Sequence, residues 1–419
     1  MDTPPGRSAS SVDRQDGERP GPFVALRSRP FLLFWTTIAL SLTGVWVRIT
    51  AQGWLVYDLT DDAFLLGLVS FCQAAPVLVA SPIAGALLDR VDRRRVLLVV
   101  QVVIAGTMFV LATLVASGAV RIWHVMVLAV VAGTASGFDW PARLSLVPAL
   151  VPPPHLQSAV ALNAAAFNGS RVVGPVVAGL LIGTFGVSLC FYLNAVMYLP
   201  FIVVLASLSL DRALPFPSRS TPALANLLDG YRYIWRTPTI RGLLSVDVVP
   251  LMFGVSYLTL APAIARDVLG LGGRGLGLLL AANGVGYLAG TLLVAAMSGA
   301  RRRGRIVVLG VAGYGIGIVC FALSGQALLS GGLILLLGLV ASVYATLNDT
   351  LVQTLVDDEY RGRVLAVYSM LWGLTPIGAL EAGLLASSVG VQAALAVNGA
   401  VILLYLPFLI RATVVPGID

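Results

Sequence analysis

Apolar residues in this chain come in long blocks, not in the alternation of a strand or the single stripe of a soluble helix. The blocks run near 31–57, 64–88, 96–117, 122–145, 156–185, 187–209, 240–267, 275–298, 306–329, 331–356, 363–389 and 391–412, separated by charged or turn-forming residues. A helix needs about 20 apolar residues to cross the hydrocarbon layer of a bilayer. The pattern predicts an all-α membrane protein with twelve spanning helices, and the longest polar break, 211–239, parts them six and six.

The two sets repeat one another. LGLVSFCQAAPVLVASPIAGALLDRVDRRR from Leu66 can be laid over LGLLLAANGVGYLAGTLLVAAMSGARRRGR from Leu276, a shift of 210 that also takes Asp139 to Asp349. AGLLIGTFG at 178–186 matches AGLLASSVG at 382–390 with a shift of 204, the loop of Pro152, Pro153 and Pro154 absorbing the difference. Repeated halves with a site between them near the midplane are the plan of a rocking transporter. The expected organisation is a disordered cytoplasmic tail at 1–22, one six-helix bundle at 23–210, a cytoplasmic linker at 211–239 and a second bundle at 240–419. Within the linker, Leu224, Leu227, Leu228, Tyr231, Ile234 and Trp235 fall on one helical face, which suits either the membrane surface or the protein's own underside.

Composition agrees with a membrane protein: 58% of the 419 residues are hydrophobic and 11% are charged, about half the charged share of a soluble domain. There is no lysine, and all 27 basic residues are arginine. A phosphate-binding Walker loop and a pyridoxal Schiff base both need a lysine, so neither an ATP site of that kind nor that cofactor is expected. With no metal-ligand cluster or nucleophile–base constellation, the chain does not read as an enzyme, and no cofactor or metal is expected. Cys72, Cys190 and Cys320 fall inside apolar blocks and read as small buried residues.

The net charge of +7 comes from arginines on one side of the predicted membrane; only Arg121, Arg266 and Arg274 fall in breaks on the other. The positive-inside rule then puts both termini in the cytoplasm and makes a nucleic-acid partner unnecessary. No early basic cluster precedes an apolar run, so no cleavable signal peptide is expected.

Two local patterns carry a family resemblance. GALLDRVDRRR at 85–95 resembles the loop between helices two and three of the major facilitator superfamily, and FDWPARLSLVPALVPPPHLQSAVALNAAAFNGSRVVGPVVAG at 138–179 resembles its enterobactin-exporter and macrolide-efflux branch, the transmembrane-secretion-effector-like drug:proton antiporters. The resemblance runs from Leu26 to about Arg411. It implies the major facilitator fold, with Gly85, Asp89, Arg90, Arg93 and Arg94 as a cytoplasmic gating motif latching onto the start of helix eleven near Arg361 and Arg363. Asp92 stands where that motif has glycine, and Gly299 stands where the second copy would carry its aspartate. The resemblance also makes Gly174, Pro175 and Gly179 an antiporter motif in helix five, associated with export.

Ionisable groups inside spans are rare and face a cavity or a partner. Glu381, in GALEAG, is the first candidate for a proton carrier, because burial disfavours a carboxylate's charge and lets it exchange protons; Asp349 and Asp247 follow. Arg171 cannot lose its proton, so it either holds a carboxylate in a fixed pair, the expected role, or binds an anionic part of the substrate. Arg48 is a candidate for cavity lining. Asp139 and Arg143, four apart on one helical face, are expected to pair directly. Among the aromatics, Trp46, Tyr257, Tyr344 and Tyr368 could line a lipophilic cavity or simply pack.

These readings converge on a monomeric secondary transporter in the plasma (inner) membrane of a prokaryote, exporting an amphipathic small molecule in exchange for protons. An importer on the same fold and a transport-inactive accessory subunit are the alternatives. Drug, siderophore and secondary metabolite all remain open as substrate.

Overall fold

A computed structural model of the chain describes residues 21, 23–88, 91–207, 223–297 and 302–413. Residues 1–20 and 22 of the expected tail, residues 208–210 at the end of the first bundle, residues 211–222 of the linker, and Asp89 and Arg90 of the gating motif lie outside the described residues.

The first six spans are α1 (Arg29–Thr60), α2 (Ala63–Leu88), α3 (Arg93–Ala116), α4 (Ile122–Leu150), α5 (Leu156–Phe185) and α6 (Val187–Ser207). A linker helix, α7 (Ala223–Arg236), precedes the other six. These are α8 (Pro238–Val268), α9 (Gly273–Ala296), α10 (Arg303–Leu323), α11 (Ala327–Leu355), α12 (Arg361–Val389) and α13 (Val391–Thr413). Among the described residues, twelve helices are long and apolar enough to cross a membrane. One boundary differs from expectation. The turn between α10 and α11 falls at Ser324, Gly325 and Gln326 rather than near residue 330, and Ser330 lies inside α11, its hydroxyl bonded to that of Ser324 at 2.8 Å. Two small polar stretches compete there, and the one before the longer unbroken apolar run makes the turn.

Equivalent helices pack in equivalent ways in the two halves. α2 lies on α4 as α9 lies on α11, α3 lies on both α4 and α6 as α10 lies on both α11 and α13, and α1 crosses α5 as α8 crosses α12. Even the tight turns repeat: Gly186 and Gly390, 204 apart, both hold positive φ (86° and 90°) between α5 and α6 and between α12 and α13.

The halves meet along α5–α9 and α2–α12. At the first seam the backbones touch: a Cβ on Gly277 would lie 2.5 Å from the Pro175 carbonyl oxygen and 2.6 Å from Gly179 Cα. At the second, a Cβ on Gly67 would lie 2.3 Å from the Ala379 carbonyl oxygen. Toward the arginine-poor end, Arg266 reaches Asp61 at 2.7 Å, and the Tyr57 hydroxyl donates to Asp267. At the arginine-rich end the start of α12 packs on α7 within the C-terminal half: Tyr233 stacks on Tyr360 at 4.5 Å and its hydroxyl donates to Asp357 at 3.0 Å. The described contacts thus hold the halves together at mid-helix and at the arginine-poor end.

α7 packs on the protein along one face. Gly230 and Ile234 are buried against the protein, whereas Leu228, Tyr231 and Trp235 stay exposed.

α8 is an interrupted helix. It is α-helical over Pro238–Val249, widens to a π turn at Pro250–Gly254, resumes in short pieces, and widens again at Ile264–Val268. Pro250 and Pro262 each lack the N–H that an α-helix would use, which accounts for the breaks.

Candidate functional site

The polar groups inside the membrane spans form separate clusters, and the two halves differ in charge. In the N-terminal half, Arg143 is buried and fully engaged. Its Nε donates to Asp139 Oδ1 at 2.8 Å, Nη1 to the Ser41 hydroxyl at 2.9 Å and Nη2 to Gln101 Oε1 at 3.2 Å, while its guanidinium lies 4.6 Å from the Phe201 ring centre. Gln101 closes the ring by donating from Nε2 to the same Asp139 oxygen. A buried cation with a counterion and a hydrogen bond from each of its three nitrogens is a stable structural unit. The i,i+4 spacing had pointed to this pair; the bridging by Gln101 from α3 and Ser41 from α1 depends on packing.

Arg48 sits inside the same half, not on the seam between halves. It is buried, and its Nη1 donates to Gln52 at 3.1 Å and to Gln73 of α2 at 2.9 Å. No carboxylate pairs with it among the described residues.

In the C-terminal half, Asp247, Asp349 and Glu381 pair with no cation among the described residues. Asp247 of α8 is buried and accepts from Asn348 Nδ2 at 2.7 Å. The Tyr368 hydroxyl, from α12, lies 2.5 Å from both Asp247 Oδ2 and Asp349 Oδ1. One phenol carries one hydrogen and can donate to only one carboxylate. The two carboxyls therefore compete for one phenolic hydrogen unless one of them is itself protonated. Asp349 and Tyr368 are half-buried, so this shared site borders accessible space. Tyr368 read in the sequence as one lining aromatic among several. The adjacent Asn348-Asp349 in an apolar span was the available signal.

Glu381 lies elsewhere, half-buried toward the arginine-poor end of α12. Its partner is Asn398 of α13, whose Nδ2 donates to Oε2 at 3.2 Å. Asn398 matches Asn194 of α6 by the same shift of 204 that relates the helix-five and helix-eleven motifs. No arginine pairs with Glu381 among the described residues.

Arg171 corrects an expectation. In place of a fixed pair with a carboxylate, it has two aromatic faces: its guanidinium carbon lies 5.1 Å from the Trp46 ring centre on α1 and 3.8 Å from that of Tyr287 on α9. No hydrogen bond or ion pair engages it among the described residues. Each cation–π contact is worth about 0.5–2 kcal/mol, less than a desolvated counterion would supply. Three packed carboxyls exist in the opposite half, but none reaches it.

The helix-five motif is packing geometry. A Cβ on Gly174 would lie 2.3 Å from Trp46 Cβ in the same half, while one on Gly179 would lie 2.8 Å from Gly277 Cα of the other half. α5 runs unbroken through Pro175. In the loop motif, Asp92 caps α3 by accepting from Arg94 N at 2.9 Å, which gives the departure from glycine a structural use. Arg94 spends its guanidinium on the Leu205 and Ala206 carbonyls at the end of α6. Arg93 donates to the Leu88 carbonyl at 3.3 Å, and Gly85 lies within α2.

Comparison with known proteins follows the same lines. A profile described as transmembrane secretion effector matches residues 20–419. The multidrug efflux pump Tap of Mycolicibacterium fortuitum is 30% identical over 87% of this chain and 91% of its own. The enterobactin exporter EntS of Shigella boydii serotype 4 is 26% identical over 80% of this chain and 79% of its own. Among solved structures, a point mutant of the nucleoside transporter NupG superposes with a TM-score of 0.78 over 92% of this chain and 100% of its own, at 9% identity, a likeness of fold alone.

Proposed function

The chain belongs to the transmembrane secretion effector family of the major facilitator superfamily, and from that premise we propose that it exports an amphipathic small molecule in exchange for protons. Export rather than uptake is supported by its similarity to an efflux pump and a siderophore exporter. Termini in the cytoplasm of a prokaryotic cell, as the arginine distribution favours, make the arginine-rich side the loading side.

The single observation that carries proton exchange is the Tyr368 hydroxyl held between Asp247 and Asp349. In this reading one of the two carboxyls holds a proton that leaves when the halves rearrange, and the pair then carries a second negative charge that no cation among the described residues offsets. Each protonation state favours one arrangement of the halves, and the substrate favours the other. Glu381 is the second candidate, with one amide donor beside it and a position nearer the opposite face.

The test is dye efflux from proteoliposomes under an imposed pH gradient. Asp247→Asn and Asp349→Asn should lose gradient-driven movement while retaining exchange of dye for dye, which needs no net proton transfer. Gradient-driven movement that survives in the double variant and disappears in Glu381→Gln would transfer the role to Glu381.

A further inference from the structure

Three arginines sit within the membrane spans away from the helix ends, and their donors fare differently. Arg143 has a carboxylate, a hydroxyl and an amide; Arg48 has two amide oxygens. Among the described residues Arg171 has only ring faces. It lies at the centre of α5, 15 residues from Leu156 and 14 from Phe185, so its charge is as far from either aqueous face as this helix allows. It also sits on the seam between halves. Its own carbonyl oxygen would lie 2.5 Å from a Cβ on Gly284 of α9, and the rings that flank its guanidinium come from opposite halves.

Flanked by two rings, the Arg171 guanidinium has an edge of five N–H donors that no hydrogen-bond partner occupies among the described residues. That edge fits a carboxylate, sulfonate or phenolate in the fork geometry peculiar to arginine. The same two rings offer flat apolar surface to whatever carries the anion. Beyond Tyr287, the C-terminal half supplies more phenols: Tyr257 and Tyr314 lie with ring centres 6.1 Å apart, and Tyr314 and Tyr344 5.5 Å apart.

We propose that Arg171, between Trp46 and Tyr287, is the site that selects the transported molecule, and that this molecule is an organic anion with a planar conjugated portion. The inference rests on the export reading for its context but concerns charge selection alone. Binding across the seam ties both halves to one ligand, which is what a substrate must do to influence their arrangement.

Fluorescein and rhodamine 123 test the proposal, because they share a xanthene ring and carry opposite charge. Equilibrium binding to the purified full chain in lipid nanodiscs, by fluorescence polarisation without any pH gradient, isolates recognition from coupling and direction. Wild type should bind fluorescein at least tenfold more tightly than rhodamine 123. Arg171→Gln should lose that preference or invert it, Arg171→Lys should keep the preference at reduced affinity, and Trp46→Ala should weaken both dyes. An inverted charge preference in a variant that still elutes as a single species is not a consequence of misfolding. Equal or tighter binding of rhodamine 123 to wild type, an unchanged fluorescein affinity in Arg171→Gln, or saturable binding of neither dye would overturn the proposal. Fluorescein that binds through Arg171 yet moves inward in proteoliposomes would sink the export reading and leave the anion site standing.

Discussion

Arg266 on α8 closes to 2.7 Å on Asp61 at the α1–α2 turn, so one ion pair bridges the two halves at their arginine-poor end. Asp58 stands 3.9 Å from the same guanidinium, and Arg266 also donates to the Tyr57 carbonyl at 3.3 Å. Asp61 holds a left-handed backbone (φ 50°), a conformation that aspartate and asparagine tolerate better than most residues. Access from this side requires that these contacts separate.

The first prediction concerns that closure. Exposed ion pairs contribute about 0.2–1 kcal/mol each, so Arg266→Gln should raise the population open at this end by up to about fivefold. Spin-label distances between the α1–α2 and α8–α9 turns report it. An unchanged distance distribution would mean that the helical seams alone hold the closed arrangement.

The Asp139–Arg143 unit and the Asp349 site are related by the repeat but should respond oppositely to loss of their carboxylate. Asp139→Asn strands a buried guanidinium and should destabilise the protein by about 3 kcal/mol. Adding Arg143→Gln should recover part of that. Asp349→Asn removes a carboxyl that has no cation and should leave the unfolding temperature within a degree or two of wild type. Thermal unfolding in one detergent ranks all three, and equal losses for Asp139→Asn and Asp349→Asn would contradict the assignment of a structural role to the first alone.

At the α5–α9 seam there is no room for a methyl group. Gly277→Ala should separate the backbones near Pro175 and cost about 1–3 kcal/mol through overpacking. Gly331→Ala, at an α11 position where a Cβ meets nothing within 4 Å, is the control and should be neutral or mildly stabilising. A melting curve for Gly277→Ala that overlays wild type would show that the helices part without cost.

The exposed edge of α7 should report on lipid. Trp235 is 55% exposed beside Tyr231, with Arg241 stacked on it at 5.6 Å. Brominated acyl chains in nanodiscs should quench the part of the tryptophan emission that Trp235→Phe removes. Equal quenching of wild type and variant would take this residue off the membrane surface.

The spans were readable because bilayer thickness imposes a block length that no soluble fold shares. The break at 211–239 and the repeat made the two halves visible as well, and the i,i+4 spacing of Asp139 and Arg143 was enough to pair them. Partnerships across helices were another matter. Arg171 could have met any of three carboxyls in the C-terminal half, and helix rotation, which sequence spacing does not encode, turned it to two rings instead. Tyr368 gained significance only when α8, α11 and α12 brought two aspartates to one oxygen. The ninth and tenth spans were misdivided because serine and glycine mark a turn and a close helix contact equally well.

The interruptions in α8 tie distant parts of the molecule together. Asp247 precedes the first wide turn, and Arg266 and Asp267 lie within the second. A wide turn stores one residue beyond what an α-helix needs, and moving it one step along the chain swivels the residue it passes by about 100°. One strand of backbone thus carries Asp247, with its Asn348 and Tyr368 contacts, near one end and the Arg266–Asp61 contact between the halves near the other. Slack travelling along this strand would act as a ratchet, re-aiming Arg266 while leaving the remaining helices straight.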